Sequence, residues 1–191
     1  IVPGMVENNK GVHIQNRKIY LSSLTNKDMQ AIEIGKKMGI KHYALSFTSN
    51  VNDMIEFKKV LKKENKIFKL ETLKAIKNIK EILKHGKEFI IDRGDLSKKV
   101  KIENIPYYQR KVFKFANKYR DKKIYIATNL LESMMCNPYP TRGEANDIYS
   151  SLEMGAAGLV LAAETAVGKY PTLATIFVKK MIKSFTNKNA I

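Results

Sequence analysis

Apolar residues along this chain alternate between short compact runs and longer stretches with a helical repeat, which is the pattern of strands alternating with helices and hence of a parallel sheet. Five runs stand out: His42–Ser46, Lys66–Leu70, Glu88–Ile91, Lys123–Ala127 and Gly158–Ala162. Together they are rich in aliphatic, β-branched and aromatic residues, as buried strands of a parallel sheet should be. Between them the 3.6-residue repeat predicts helices. Asn26–Met38 starts behind Thr25 and stops at Gly39, Asn52–Lys63 starts at an Asn, and Thr72–His85 stops at Gly86. Such residues suit helix ends. Further helices are predicted at Pro106–Tyr119, Arg142–Met154 and Thr172–Ser184, the last two introduced by Pro140-Thr141 and Pro171-Thr172. Residues 1–24 form a lead-in, in which Lys10–Leu21 reads as a short hairpin or extended segment, and 25–191 carry the strand–helix units of a single domain segment.

Polar side chains follow each predicted strand within a residue or two. They are Ser46-Phe47-Thr48, Glu71-Thr72, Asp92-Arg93-Gly94-Asp95, Thr128-Asn129 with Glu132-Ser133, and Glu164-Thr165. In a (β/α) barrel the carboxyl ends of the strands converge on one mouth, so five such groups make one site. An open doubly wound sheet would carry a Gly-rich phosphate loop after its first strand, and this sequence has none. The expected fold class is therefore α/β, a partial TIM-type (β/α) barrel of about five strand–helix units plus the N-terminal lead-in. A closed barrel needs eight strands and roughly 250 residues. The chain thus reads as a partial or open barrel, or as the second portion of a larger polypeptide.

Composition narrows the picture. With 191 residues, 44% of them hydrophobic and 28% charged, there is material for one domain with a substantial core. The lone Cys136 excludes an intrachain disulfide and a cysteine-based metal cluster, and points to a reducing compartment. The longest apolar run, Gly155–Ala163, is far short of the ~20 residues of a spanning helix, so no membrane is expected. The formal charge of +17 comes from lysine pairs spread along the whole chain, among them Lys36-Lys37, Lys98-Lys99 and Lys179-Lys180. That spread suits solvated helix faces. A nucleic-acid partner is not expected, because no basic block with interleaved aromatics is present. The opening Ile1-Val2-Pro3-Gly4 has no signal-peptide character and suggests a piece of something longer.

Several segments, taken in order, resemble the pyruvate kinase family. They are Lys10-Gly11-Val12, Leu24-Thr25-Asn26-Lys27-Asp28, Ser46-Phe47, Lys69-Leu70-Glu71, Arg93-Gly94-Asp95-Leu96, Ala127-Thr128-Asn129-Leu130-Leu131-Glu132-Ser133-Met134, Pro140-Thr141-Arg142-Gly143-Glu144 and Ala163-Glu164-Thr165-Ala166-Val167-Gly168-Lys169-Tyr170-Pro171. The short matches are weak singly; the blocks starting at Ala127 and Ala163 are specific. The resemblance implies an enzyme of glycolysis that moves a phosphoryl group from phosphoenolpyruvate to ADP with a divalent metal, leaving an enolate that is protonated to pyruvate.

By the same resemblance Glu71 and Asp95 match carboxylates that ligate Mg²⁺ (or Mn²⁺), and oxygen ligands are what such hard cations require. Lys69 matches the lysine facing the phosphoryl group and enolate oxygen; two residues from Glu71 on a strand, it shares that residue's face. Gly94 and Asp95 match the residues whose backbone N–H groups hold the substrate carboxylate, and Thr128 the threonine beside the enolate carbon in proton delivery. Arg93 and Glu132 are implied to be structural, and Glu164 with Thr165 to organise the mouth. The family further implies K⁺, with ligands mostly outside this chain, ADP/ATP as the second substrate pair, a cytoplasmic location, and a homo-oligomer, a tetramer, when complete.

Three departures stand against the match. Ala162-Ala163 replaces Ser-Gly, Asn129 replaces Gln, and Asp92 replaces Ala, which adds a third carboxylate near the metal. Counterparts of the family's first three strands, its lid domain and its C-terminal domain are absent from these 191 residues, so the metal and enolate half of the site is what this chain would supply. Two alternatives stay open: another metal-dependent enolate or 2-keto acid enzyme of the lyase or decarboxylase type, and a catalytically degenerate homologue.

Overall fold

Five short apolar segments pair into one sheet in the computed structural model, which describes residues 22–188. The predicted lead-in before Ser22 lies outside the described residues. In chain order the elements are α1 (Asn26–Lys37), β1 (His42–Leu45), α2 (Val51–Val60), β2 (Asn65–Leu70), α3 (Leu73–Lys77), α4 (Ile79–His85), β3 (Glu88–Asp92), α5 (Arg93–Ser97), α6 (Ile105–Ala116), β4 (Lys123–Ala127), α7 (Arg142–Glu153), β5 (Gly158–Val160), α8 (Ala163–Ala166) and α9 (Pro171–Lys188). The strands are parallel and their spatial order is β1-β2-β3-β4-β5. Sequential order with right-handed crossovers puts the connecting helices on one face of the sheet, as in a (β/α) barrel and unlike a doubly wound sheet. The expected partial barrel is what the described residues form.

Alternation within the strands decides what that face buries. Phe68 and Leu70, Phe89 and Ile91, and Ile124 and Ile126 are buried against the helices, while Ile67, Lys69, Ile90 and Tyr125 are half-buried on the other face. Among the described residues the burial of the strands is one-sided. Register places the inward residues side by side, with Lys69 opposite Ile90 and Asp92 opposite Ala127. The ring of Phe68 sits between Phe57 and Phe89, with centroids 6.0 Å away on each side. Gly86 makes this possible, because a Cβ there would lie 2.6 Å from the Phe89 ring and 2.9 Å from that of Phe68.

Helix ends follow the expected chemistry with local corrections. Thr25 and Asp28, Asn50 and Asp53, and Thr141 and Glu144 form capping boxes at α1, α2 and α7. The single helix expected over Thr72–His85 is divided at Asn78, whose backbone leaves helical geometry at ψ 10° and whose side-chain amide donates to the Ser49 carbonyl at 3.1 Å. That bond ties the loop after β1 to the end of α3. Strand β1 stops at Leu45, before Phe47 turns to a left-handed φ of 54°.

Phe68→Ala is expected to lower the unfolding free energy by about 3–5 kcal/mol, since it empties the centre of the aromatic row. Ile55→Ala, on an exposed position of α2, should stay within about 0.5 kcal/mol. Urea denaturation of the two variants checks both.

Candidate active site at the strand carboxyl ends

Polar residues at the ends of β2, β3 and β4 come together. Lys69 and Glu71 share one face of β2 and its continuation, and the Lys69 ammonium lies 2.9 Å from Glu71 Oε2 and 2.9 Å from Asp92 Oδ2 at the end of β3. The buried Glu71 also accepts the Phe47 N–H through Oε1 at 2.5 Å. Its Oε2, buried as well, meets Lys69 as an ion pair without the alignment of a hydrogen bond. Partial burial pulls the Lys69 ammonium towards neutrality, but contacts with Asp92 and Glu71 outweigh it and hold its pKa above the ordinary lysine value. Lys69 is thus a fixed positive charge.

One residue turn further, Asp95 on α5 pairs with the exposed Lys98 at 2.6 Å. One carboxylate oxygen from each of Glu71, Asp92 and Asp95 lies within 4.8 Å of the other two. A set of carboxylate oxygens this close, one of them buried without an aligned donor, fits a hard divalent cation.

Thr128 follows β4 with φ +69° and Asn129 with φ +53°. A β-branched residue in this region is strained by roughly 1–3 kcal/mol and has to be held there by its surroundings. Arg93 does the holding. Its Nε and Nη2 donate to the Thr128 carbonyl at 3.2 and 2.8 Å, Nη2 also to the Asn129 carbonyl at 3.0 Å, and Nη1 to Asp147 on α7 at 2.6 Å. The turn aims Thr128 Oγ1 at β3. It accepts the Gly94 N–H at 2.8 Å, and its single proton is offered to the Ala127 carbonyl at 2.6 Å or Asp92 Oδ1 at 3.2 Å. A Cβ on Gly94 would sit 3.3 Å from that hydroxyl, so glycine permits the approach. The Asp95 N–H faces Asp92 Oδ1 at 3.4 Å. Both amides that sequence reasoning assigns to a substrate carboxylate are therefore engaged within the chain.

The mouth is tied together by two further carboxylates. Glu164 is buried at the start of α8 and accepts the N–H groups of Leu130 and Leu131 at 3.1 Å each and of Ala162 at 2.8 Å. Burial alone would raise its pKa, but the backbone donors outweigh it and hold it below the ordinary value of 4.5. Glu144 likewise accepts from Ser133 N at 2.7 Å and joins the start of α7 to the 3-10 turn at Glu132–Met135. Glu132 itself receives the Asn129 amide at 3.0 Å on the exposed rim.

Lys69, Glu71, Gly94, Asp95 and Thr128 are thus neighbours. Asp147 and Lys98 were not anticipated; the i,i+3 spacing of Asp95 and Lys98 was a readable signal, whereas nothing in the spacing links Asp147 to Arg93.

A family model described as the pyruvate kinase barrel domain matches residues 1–175. The chain belongs to the pyruvate kinase family. It is 36% identical over 191 residues to a pyruvate kinase of Thermotoga maritima, covering 98% of this chain and 41% of that protein. The pyruvate kinase of Methanocaldococcus jannaschii is 36% identical over 186 residues, 95% of this chain and 41% of that one. For a Staphylococcus saprophyticus pyruvate kinase the figures are 35% over 173 residues, 88% and 29%. The chain therefore spans well under half the length of these curated relatives. No helix of the described residues is long and apolar enough to cross a membrane.

Because the folded Glu164 titrates below 4.5, the stability it contributes is complete above that pH and is lost as pH falls through the lower folded value. Glu164→Gln should cost about 1–3 kcal/mol at pH 7 and flatten the acid limb of a stability-against-pH curve measured by denaturant titration. Separately, Arg93→Ala should release the turn at Thr128, seen as faster amide hydrogen exchange at Thr128 and Asn129 than in the unaltered chain.

Proposed function

We propose that these residues form the metal and enolate half of a site that transfers a phosphoryl group from phosphoenolpyruvate to ADP, giving pyruvate and ATP. The observation that carries the reading is the fixed Lys69 ammonium beside the close carboxylates of Glu71 and Asp95 at the strand ends, in a member of this family. The relatives named pyruvate kinase are longer proteins, and their activity belongs to their whole chains.

In this reading Glu71 and Asp95 hold Mg²⁺ or Mn²⁺, which when bound supplies a Lewis acid for substrate oxygens. Lys69 sets a positive charge where negative charge develops on the transferred group and on the enolate oxygen. Its ion pairs with Glu71 and Asp92 hold the ammonium at the mouth before substrate arrives. Thr128 keeps a proton at Oγ1, oriented by the Gly94 N–H. A hydroxyl is too weak an acid to protonate an enolate carbon by itself, so it acts within a chain of hydroxyls and water. In this reading the Gly94 and Asp95 amides bind the substrate carboxylate on leaving Thr128 Oγ1 and Asp92 Oδ1, their partners within the chain. K⁺ and the nucleotide would be held mostly by residues beyond this chain, in a cytoplasmic homo-oligomer.

Exchange of pyruvate methyl protons with D₂O, followed by NMR, isolates the enolate step. It should depend on Mg²⁺, and Glu71→Gln and Lys69→Met should each slow it by about a hundredfold or more. Equal rates with Mg²⁺ and with EDTA would sink the reading.

A further inference from the structure

Asp92 has the burial of a core residue and the contacts of a bound ligand. It ends β3 only 7% exposed. Lys69 Nζ stands 2.9 Å from its Oδ2, and Thr128 Oγ1 and the Asp95 N–H face its Oδ1 at 3.2 and 3.4 Å. An ammonium, a hydroxyl and a backbone amide converging on one carboxylate constitute a receptor for a small carboxylate. Here the chain's own side chain fills it.

Structural needs do not account for the charge. Asn or Ser in place of Asp would cap α5 equally well without an ion, and Lys69 already has Glu71 as its partner. Burying a second carboxylate against one ammonium is costly. Within the cluster of Glu71, Asp92, Asp95, Lys69 and Lys98 the carboxylates outnumber the ammoniums by one, and removal of Asp92 would make the numbers equal. An incoming anion meets donors that Asp92 occupies.

We infer that Asp92 is a specificity-determining residue that occupies the carboxylate position of this site and so weakens its affinity for small free carboxylates, 2-keto acids among them. The inference rests on the enolate-site reading above. Any carboxylate ligand must displace Asp92 from Lys69 and Thr128 before it can use them, and the same displacement would slow methyl exchange.

Calorimetric titration of the full chain with oxalate, in EDTA and again with Mn²⁺, tests this on the unaltered protein, Asp92→Ala and Asp92→Asn. Asp92→Ala should bind oxalate at least tenfold more tightly in EDTA. Asp92→Asn keeps the cap and the size, and should gain less; it also serves if thermal unfolding shows the alanine variant to be misfolded. Oxalate binding no tighter in either variant than in the unaltered chain overturns the inference. So does weaker Mn²⁺ binding without any gain for oxalate, which would make Asp92 a third metal ligand instead. If Mn²⁺ changes oxalate affinity in none of the three proteins, the metal reading fails, while the comparison in EDTA still decides the role of Asp92.

Discussion

The ammonium of Lys69, 2.9 Å from each of two carboxylates, is the constraint on which the rest of the mouth depends. Carboxylates as buried as Glu71 and Asp92 persist as charges only when paired, and removing their shared partner strands both. Strand alternation makes the pairing possible. Phe68 and Leu70 point into the helical layer, so Lys69 and Glu71 must point the other way, and the parallel register delivers the end of β3 beside them. A slip of one residue in β2 would exchange the two sets and put the charges among the aromatic rings.

Around that centre the chain uses its backbone as much as its side chains. The left-handed Thr128 and Asn129 would relax if left alone. Arg93 grips their carbonyls from β3's end and is itself anchored by Asp147 on α7. Glu164 does the complementary work on the other side, collecting N–H groups of the loop after β4 and of the end of β5. The hydroxyl of Thr128 is therefore positioned by residues 93, 147 and, through its loop, 164. Asp92 differs in kind, since it meets Lys69, the Thr128 hydroxyl and the Asp95 N–H directly.

Much of this was legible in advance. Strands and helices could be placed because apolar periodicity and capping residues act over a few neighbours, and Lys69 with Glu71 could be set on one face because strand alternation is local. In the sequence Asp92 reads only as an extra carboxylate. Its ion pair with Lys69 depends on how β2 and β3 are registered, which no stretch of sequence reports. The break at Asn78 was missed for a similar reason: its amide reaches Ser49, a partner 29 positions away.

By itself the sequence determined the alternation of elements, their parallel class, the membership suggested by its motifs and the polar residues at each strand end, because those follow from covalent order and short-range periodicity. Only the tertiary structure decided that the burial is one-sided, that Arg93 and Asp147 brace a strained turn, and that Asp92 meets Lys69, Thr128 Oγ1 and the Asp95 N–H. Each of these depends on distances between segments remote in the chain, and such distances exist only once the strands have paired.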